Sequence, residues 1–196
     1  MIEDTVIENK RQLEQACTYI MRSQRPDVEK VLIIILLRNG LRISEICNPS
    51  LIKVISPFQV IIYATKNNTW RSCTTGEASN LLREDRVLKD LKIWKRNRQY
   101  YYRALKGVLP HVESSRTKNN PVTHAARNIQ AQQVYEATNS IEATKVSIGN
   151  RSSSATERYI TGNQRKALQK QGIKGSISGS VDNIVSSVKN IIRIRK

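Results

Sequence analysis

The stretch NGLRISEIC, residues 39–47, decides how the rest of the chain is read. Asn39-Gly40 is a helix-stopping pair, because glycine enters the left-handed backbone region without a Cβ penalty. It closes a run of seven apolar residues, VLIIILL over 31–37, which is far short of the ~20 residues needed to cross a bilayer. The spacing predicts a buried helix over 27–39, opened by Pro26 with Asp27 in its first turn. A tight turn follows, then a second, short helix with Ile43 and Ile46 inward and Arg42 at its start. Asn48-Pro49-Ser50 stops it.

Working outward, residues 5–23 read as a further helix. The β-prone runs IKVI, QVIIYA and RSCTT, separated by Pro57 and by KNNT, predict a small three-stranded antiparallel sheet with Lys66 at a strand end or hairpin mouth. From 79 to about 105 the pattern is helical, with apolar or aromatic residues at 82, 87, 88, 91, 94, 101 and 105. Its polar face carries Lys92, Lys95, Arg96, Arg98 and Arg103. Residues 107–121 read as a loop, and helices follow at 122–137 and 141–148. The fold class is therefore mainly α with a small antiparallel β-sheet. One main domain is expected over 1–165, a flexible Gly/Ser-containing linker over 166–180, and an amphipathic helix over 181–196. Val181, Ile184, Val185, Val188, Ile191 and Ile192 form the stripe of that last helix, which packs either on its own domain or on a neighbouring protomer.

The chain of 196 residues is 39% apolar and 25% charged with a mean hydropathy of −0.47, a composition suited to one globular domain. Its net charge of +17 is uneven: residues 1–80 hold ten Lys and Arg against eight Asp and Glu, and residues 81–196 hold twenty-three against eight. Such an excess attracts polyphosphate through counterion release, which makes nucleic acid the first partner to consider. No strongly basic amphipathic helix with an aromatic apolar face supports a membrane partner. The opening MIEDTVIENK lacks the features of a secretory leader. Cys17, Cys47 and Cys73 are odd in number and lack metal-ligand spacing, so free thiols in a reducing compartment are expected, with no metal held by them.

A second stretch, IGNRSSSATERYI at 148–160, raises the question of chemistry. A phenol with a pKa of about 10 is a weak nucleophile at neutral pH, so an attacking Tyr159 needs cations beside it. A phosphodiester under attack gains charge on its nonbridging oxygens, which planar guanidinium groups match with paired hydrogen bonds. A proton donor must also serve the departing 5′-oxygen. HAAR places His124 and Arg127 on one helix face, three apart. Each piece alone has a plain reading: HxxR as a solvated pair, GLRISEI as a helix start, Tyr159 as a loop tyrosine. Tyr100, Tyr101 and Tyr102 follow no phosphate-binding run, and His111 has no partner at useful spacing.

Taken in order, NGLRISEI, a lysine on a following hairpin, HxxR, and a Gly-X ahead of a TxRY run resemble the catalytic domain of tyrosine recombinases, the lambda-type integrases and their relatives. The resemblance spans about residues 1–162. IGNRSSSATERY is similar to the family's LGHxxxxxTxxxY. The resemblance implies a site-specific recombinase that cleaves and rejoins double-stranded DNA through a covalent 3′-phosphotyrosine, without ATP or metal. Arg42 and Arg127 would clamp the scissile phosphate, Lys66 would protonate the departing 5′-oxygen, His124 would assist proton transfer, and Tyr159 would attack. Glu45 would be structural support. Arg71, Lys95, Arg96, Arg98 and Arg151 would contact DNA. Asn150 stands where the family usually has histidine or tryptophan; an amide can donate a hydrogen bond to phosphate but cannot relay a proton, a change worth ~10²-fold in rate or less. NIQAQQ after HAAR also departs from the usual apolar and aromatic continuation. Compact relatives such as the fimbrial phase-variation invertases resemble the chain in having one domain per subunit to grip DNA, and the resemblance implies a homo-oligomer, a tetramer on two duplexes, associated with the nucleoid in the cytoplasm and using no cofactor. The same chemistry would serve a type IB topoisomerase or a hairpin resolvase. A catalytically weakened DNA-binding factor is the reading of another class.

Overall fold

The computed structural model describes residues 2–64, 66, 68–106, 108 and 122–160, with the side chains of 2–9 and 122–124 outside that set. Helix α1 (Ile2–Arg22) leads into α2 (Asp27–Asn39) and the one-turn α3 (Ile43–Ile46). The strands β1 (Ile52–Ser56), β2 (Gln59–Ala64) and β3 (Thr69–Thr74) follow, then α4 (Asp85–Ile93) and α5 (Arg98–Leu105). Helices α6 (Val122–Thr138), α7 (Ile141–Ile148) and α8 (Ser153–Thr156) end at a 3₁₀ turn, Glu157–Tyr159.

Helix α2 is the centre of the core. Pro26 precedes it in an extended conformation, and Asp27 and Glu29 occupy its first turn, favouring the positive end of the helix dipole. Every residue from Val31 to Leu37 is buried, because α1, α4, α6 and β3 pack around it. A helix apolar on all sides is stable only when surrounded in this way. Its stop is Gly40, at φ 56°, whose N–H returns to Leu36 O. No helix among the described residues is long and apolar enough to cross a membrane.

The sheet runs β1-β2-β3, antiparallel throughout, with a register shift between Val54 and Ser56. Alternation puts Val60, Ile62 and Ala64 of β2 inward. Ile62 lies opposite Arg71 and Tyr63 opposite Trp70. Cross-strand partners share a face, so Arg71 points toward the core while Trp70, 45% exposed, points out. On that outer face Tyr63 and Trp70 meet at 5.2 Å, and Lys53 Nζ lies 4.4 Å from the Trp70 ring.

The single helix expected over 79 to about 105 is a correction. Residues 76–79 and 81–83 are 3₁₀ turns, and the helical part is two pieces, α4 and α5. Apolar spacing persists across the break, which is why periodicity alone misses it. Trp94 turns extended at ψ 94°, and Asn97 caps α5 by accepting from Tyr100 N at 2.9 Å. The strands and the helices at 27–39, 43–46, 122–138 and 141–148 lie where the sequence places them, within a residue or two. The loop at 109–121, the linker and the C-terminal amphipathic helix fall outside the described residues.

Candidate active site

Arg42 is the residue that starts α3, and Glu45 one turn later folds back on it. The Glu45 carboxylate accepts from Arg42 N at 2.9 Å and from Arg42 Nη1 at 3.2 Å. Half of a capping box is thus closed by an acid that also neutralises its own cap residue. Glu45 is 1% exposed, and Arg71 Nη1 approaches the same carboxylate at 3.7 Å.

Arg127 reaches this cluster from α6, one turn after His124. Gly40 makes that approach possible, since a Cβ there would lie 3.1 Å from Arg127 Cα and 3.0 Å from Gln130 Cβ. Helices α2 and α6 pack together at this point. Arg127 Nη1 donates to Gly40 O at 2.8 Å, and Nη2 donates to Asn150 Oδ1 at 2.8 Å and to Gly149 O at 3.4 Å. Arg42 Nη2 donates to the same Asn150 Oδ1 at 3.2 Å, from 108 residues away in sequence. Burial, then the positive charges of Arg42 and Arg71, lower the Arg127 pKa to about 10, against the opposing pull of Tyr159 and Glu45. It remains a cation at neutral pH.

Tyr159 is brought in by local capping. Ser152 Oγ accepts from Ala155 N at 3.1 Å and starts α8, whose last residue, Thr156, is buried. The 3₁₀ turn then sets the Tyr159 ring 5.6 Å from the guanidinium carbon of Arg127. Gln132 Nε2, from the next turns of α6, donates to Tyr159 O at 3.4 Å. Asn150 Nδ2 donates to Thr156 Oγ1 at 3.2 Å, so one amide ties both arginines to the turn that carries the tyrosine.

Arg42, Arg127, Asn150 and Tyr159 are thus brought together. Lys66 is exposed in the turn between β2 and β3. His124 lies in α6 by its backbone, and its side chain is outside the described residues. Arg71, read from sequence as a phosphate contact, is 10% exposed and turned inward by strand parity; it donates to Ser147 O at 2.6 Å and Asn39 O at 3.1 Å. Its position ties β3 to the ends of α2 and α7. Gly149 is needed there: it has φ +62°, and a Cβ would lie 2.8 Å from Arg71 Cδ. Gly149→Ala is expected to cost about 1–3 kcal/mol in urea unfolding, from left-handed strain plus displacement of Arg71.

Lys95, Arg96, Arg98 and Arg151 are exposed. Arg96 stacks at 4.0 Å on Trp94 and, with Arg25, Lys95, Arg103 and Tyr100, lines a cleft of about 660 Å³. Arg25 and Gln132 carried no sign in the sequence that singled them out. Thr156 lies inside the TxRY run, so its spacing was visible without its role. Arg25 sits between two helices and has no local signal at all.

No protein-family profile and no curated protein matches the chain. Solved structures do match by fold. The XerH site-specific recombinase bound to palindromic difH substrate, in a post-cleavage complex, superposes with a TM-score of 0.58 at 14% identity, over 83% of this chain and 51% of that one. The pre-cleavage complex of XerH with difH gives 0.57 at 14%, over 84% and 53%. XerA recombinase gives 0.51 at 15%, over 84% and 62%. The chain spans between half and two thirds of the length of these structures. Its fold is that of a tyrosine recombinase catalytic domain, mainly helical with one small antiparallel sheet.

Proposed function

We propose that this chain is the catalytic unit of a site-specific tyrosine recombinase acting on double-stranded DNA. One observation carries the reading: Arg42 and Arg127, from separate helices, aim guanidinium donors at a single acceptor position, and the Tyr159 ring lies 5.6 Å from the guanidinium carbon of Arg127. Two planar forks around one oxygen are the arrangement a phosphodiester requires as it gains negative charge. Tyr159 Oη attacks the phosphorus, its proton passing to a base in the site, for which His124 is the candidate. The bond to the 5′-oxygen breaks as Lys66 delivers a proton to it. The 3′-phosphotyrosine conserves the phosphodiester bond, and a 5′-hydroxyl from a second duplex reverses the attack. Four protomers on two duplexes would complete an exchange, with residues 181–196 as the candidate contact between neighbours.

The basic cleft of Arg25, Lys95, Arg96 and Arg103 supports a path for the DNA backbone outside the cleavage site. Neutralising those phosphates makes binding fall steeply with salt. Such a slope is shared by a DNA-binding factor, so covalency is the deciding observation. A pool of nicked duplexes of randomised sequence, which lets the short 5′-hydroxyl strand diffuse away, should leave a protein–DNA band on a denaturing gel. Peptide mapping should place the nucleotide on Tyr159. Repeated absence of that band overturns the recombinase reading in favour of a binding factor. Relaxation of a supercoiled plasmid by the same protein, without site preference, would move it to the topoisomerase class.

A further inference from the structure

The Asn150 amide occupies the position that the proposed function gives to a phosphate oxygen. A guanidinium can only donate hydrogen bonds, so whatever lies between Arg42 and Arg127 must accept. Asn150 Oδ1 does so, at 3.2 Å and 2.8 Å. Its other end is also engaged, with Nδ2 donating to Thr156 Oγ1 at 3.2 Å and that hydroxyl donating to Ser152 O at 3.0 Å. The amide therefore faces the arginines with its acceptor, whereas holding a phosphate oxygen would need its donor. Arg127 is 1% exposed, and its Nε is buried without a hydrogen-bond partner among the described residues. The guanidinium groups of Arg42 and Arg71 lie against the one carboxylate of Glu45, and Arg127, which feels the charges of both arginines and of Glu45, makes no ion pair with an acid among the described residues. The cluster is short of negative charge and closed over by a neutral group.

We propose that Asn150 is a gate: its amide oxygen stands in for phosphate in the free protein and swings aside, leaving Thr156, when a phosphate is admitted between Arg42 and Arg127. Thr156 is the positioning residue that holds the gate shut. The exchange favours DNA because a phosphate oxygen accepts from both guanidinium groups as an anion, in charge-assisted bonds stronger than those to an amide. The inference rests on the proposed function for the identity of the incoming group. It differs from a donor role for Asn150 in the sign of its consequences.

The test is titration of the full chain with inorganic phosphate at constant ionic strength, followed by NMR of the arginine and asparagine side chains. Asn150→Asp puts a carboxylate between the two guanidinium groups, and phosphate affinity is expected to fall at least ~10-fold, since the resident anion must be displaced. Asn150→Ala should bind phosphate as tightly as the wild type or up to ~10-fold more tightly, because nothing need be moved. Thr156→Val should weaken the latch and raise affinity, and Thr156→Ser should restore the wild-type value. A cooperative thermal transition establishes that each variant folds; if Asn150→Ala shows none, Asn150→Ser replaces it, its shorter hydroxyl being unable to bridge both arginines. A ~10-fold weaker affinity for Asn150→Ala overturns the gate in favour of a donor. Failure of both wild type and Asn150→Ala to bind phosphate overturns it too. Covalent trapping is measured separately, so an adduct without these effects would sink the gate and leave the recombinase reading standing. The reverse pattern would do the opposite.

Discussion

Glu45→Ala is expected to lower the free energy of unfolding by about 3–5 kcal/mol, the cost of leaving buried cations without their counter-charge. The carboxylate is 1% exposed, closes the first turn of α3 on Arg42 N at 2.9 Å, and lies within 3.7 Å of Arg71. Alanine removes an acceptor and the charge together, and solvent reaches little of what remains: the Arg42 side chain is 20% exposed and Arg71 is 10%. Glu45→Gln keeps the shape and an acceptor for the backbone N–H, so its cost should be smaller, about 1–3 kcal/mol. Urea titration reads both, with a shift of midpoint at unchanged slope. A loss under about 1 kcal/mol for Glu45→Ala would mean that the carboxylate is not what holds the arginines together.

Tyr159→Phe is expected to abolish the covalent DNA adduct, a fall on the order of 10⁴-fold or more, as for removal of a nucleophile elsewhere. Phenylalanine keeps the ring that lies 5.6 Å from the Arg127 guanidinium, so folding and DNA affinity should hold, the latter within about threefold. Gel shift and denaturing gel, run in parallel, separate the two effects. Tyr100 and Tyr101 are poor substitutes. Tyr101 is fully buried, and the Tyr100 hydroxyl donates to Glu29 Oε2 at 2.6 Å. An adduct formed by the Phe variant would place the chemistry elsewhere and remove the main support of the proposed mechanism.

Much of the framework was legible because it rests on short-range rules. Asn39-Gly40 ends α2, and the alternation in QVIIYA gives a strand with one buried face. The break at Trp94–Asn97 was less visible, since apolar positions stay in phase across it; the capping side chain of Asn97 was the one local sign. In the site, Arg42 at the start of α3 and the tyrosine at the end of a capped polar run could be picked out from spacing. The direction of Arg71 was not legible, because it depends on which residue of β2 it faces. Pairing with Ile62 turns it inward, where a register one residue different would have turned it to solvent.

By itself the sequence determined the central apolar helix, the three-stranded sheet and the basic excess, all of which follow from composition and from periods of a few residues. Only the tertiary structure decided that Arg127 passes Gly40 closely enough to donate to its carbonyl, 87 positions away, and that Arg42 and Arg127 share the amide oxygen of Asn150. Hydrogen bonds of that kind depend on where packed elements come to rest against one another, to within tenths of an ångström. No local pattern of residues encodes that distance.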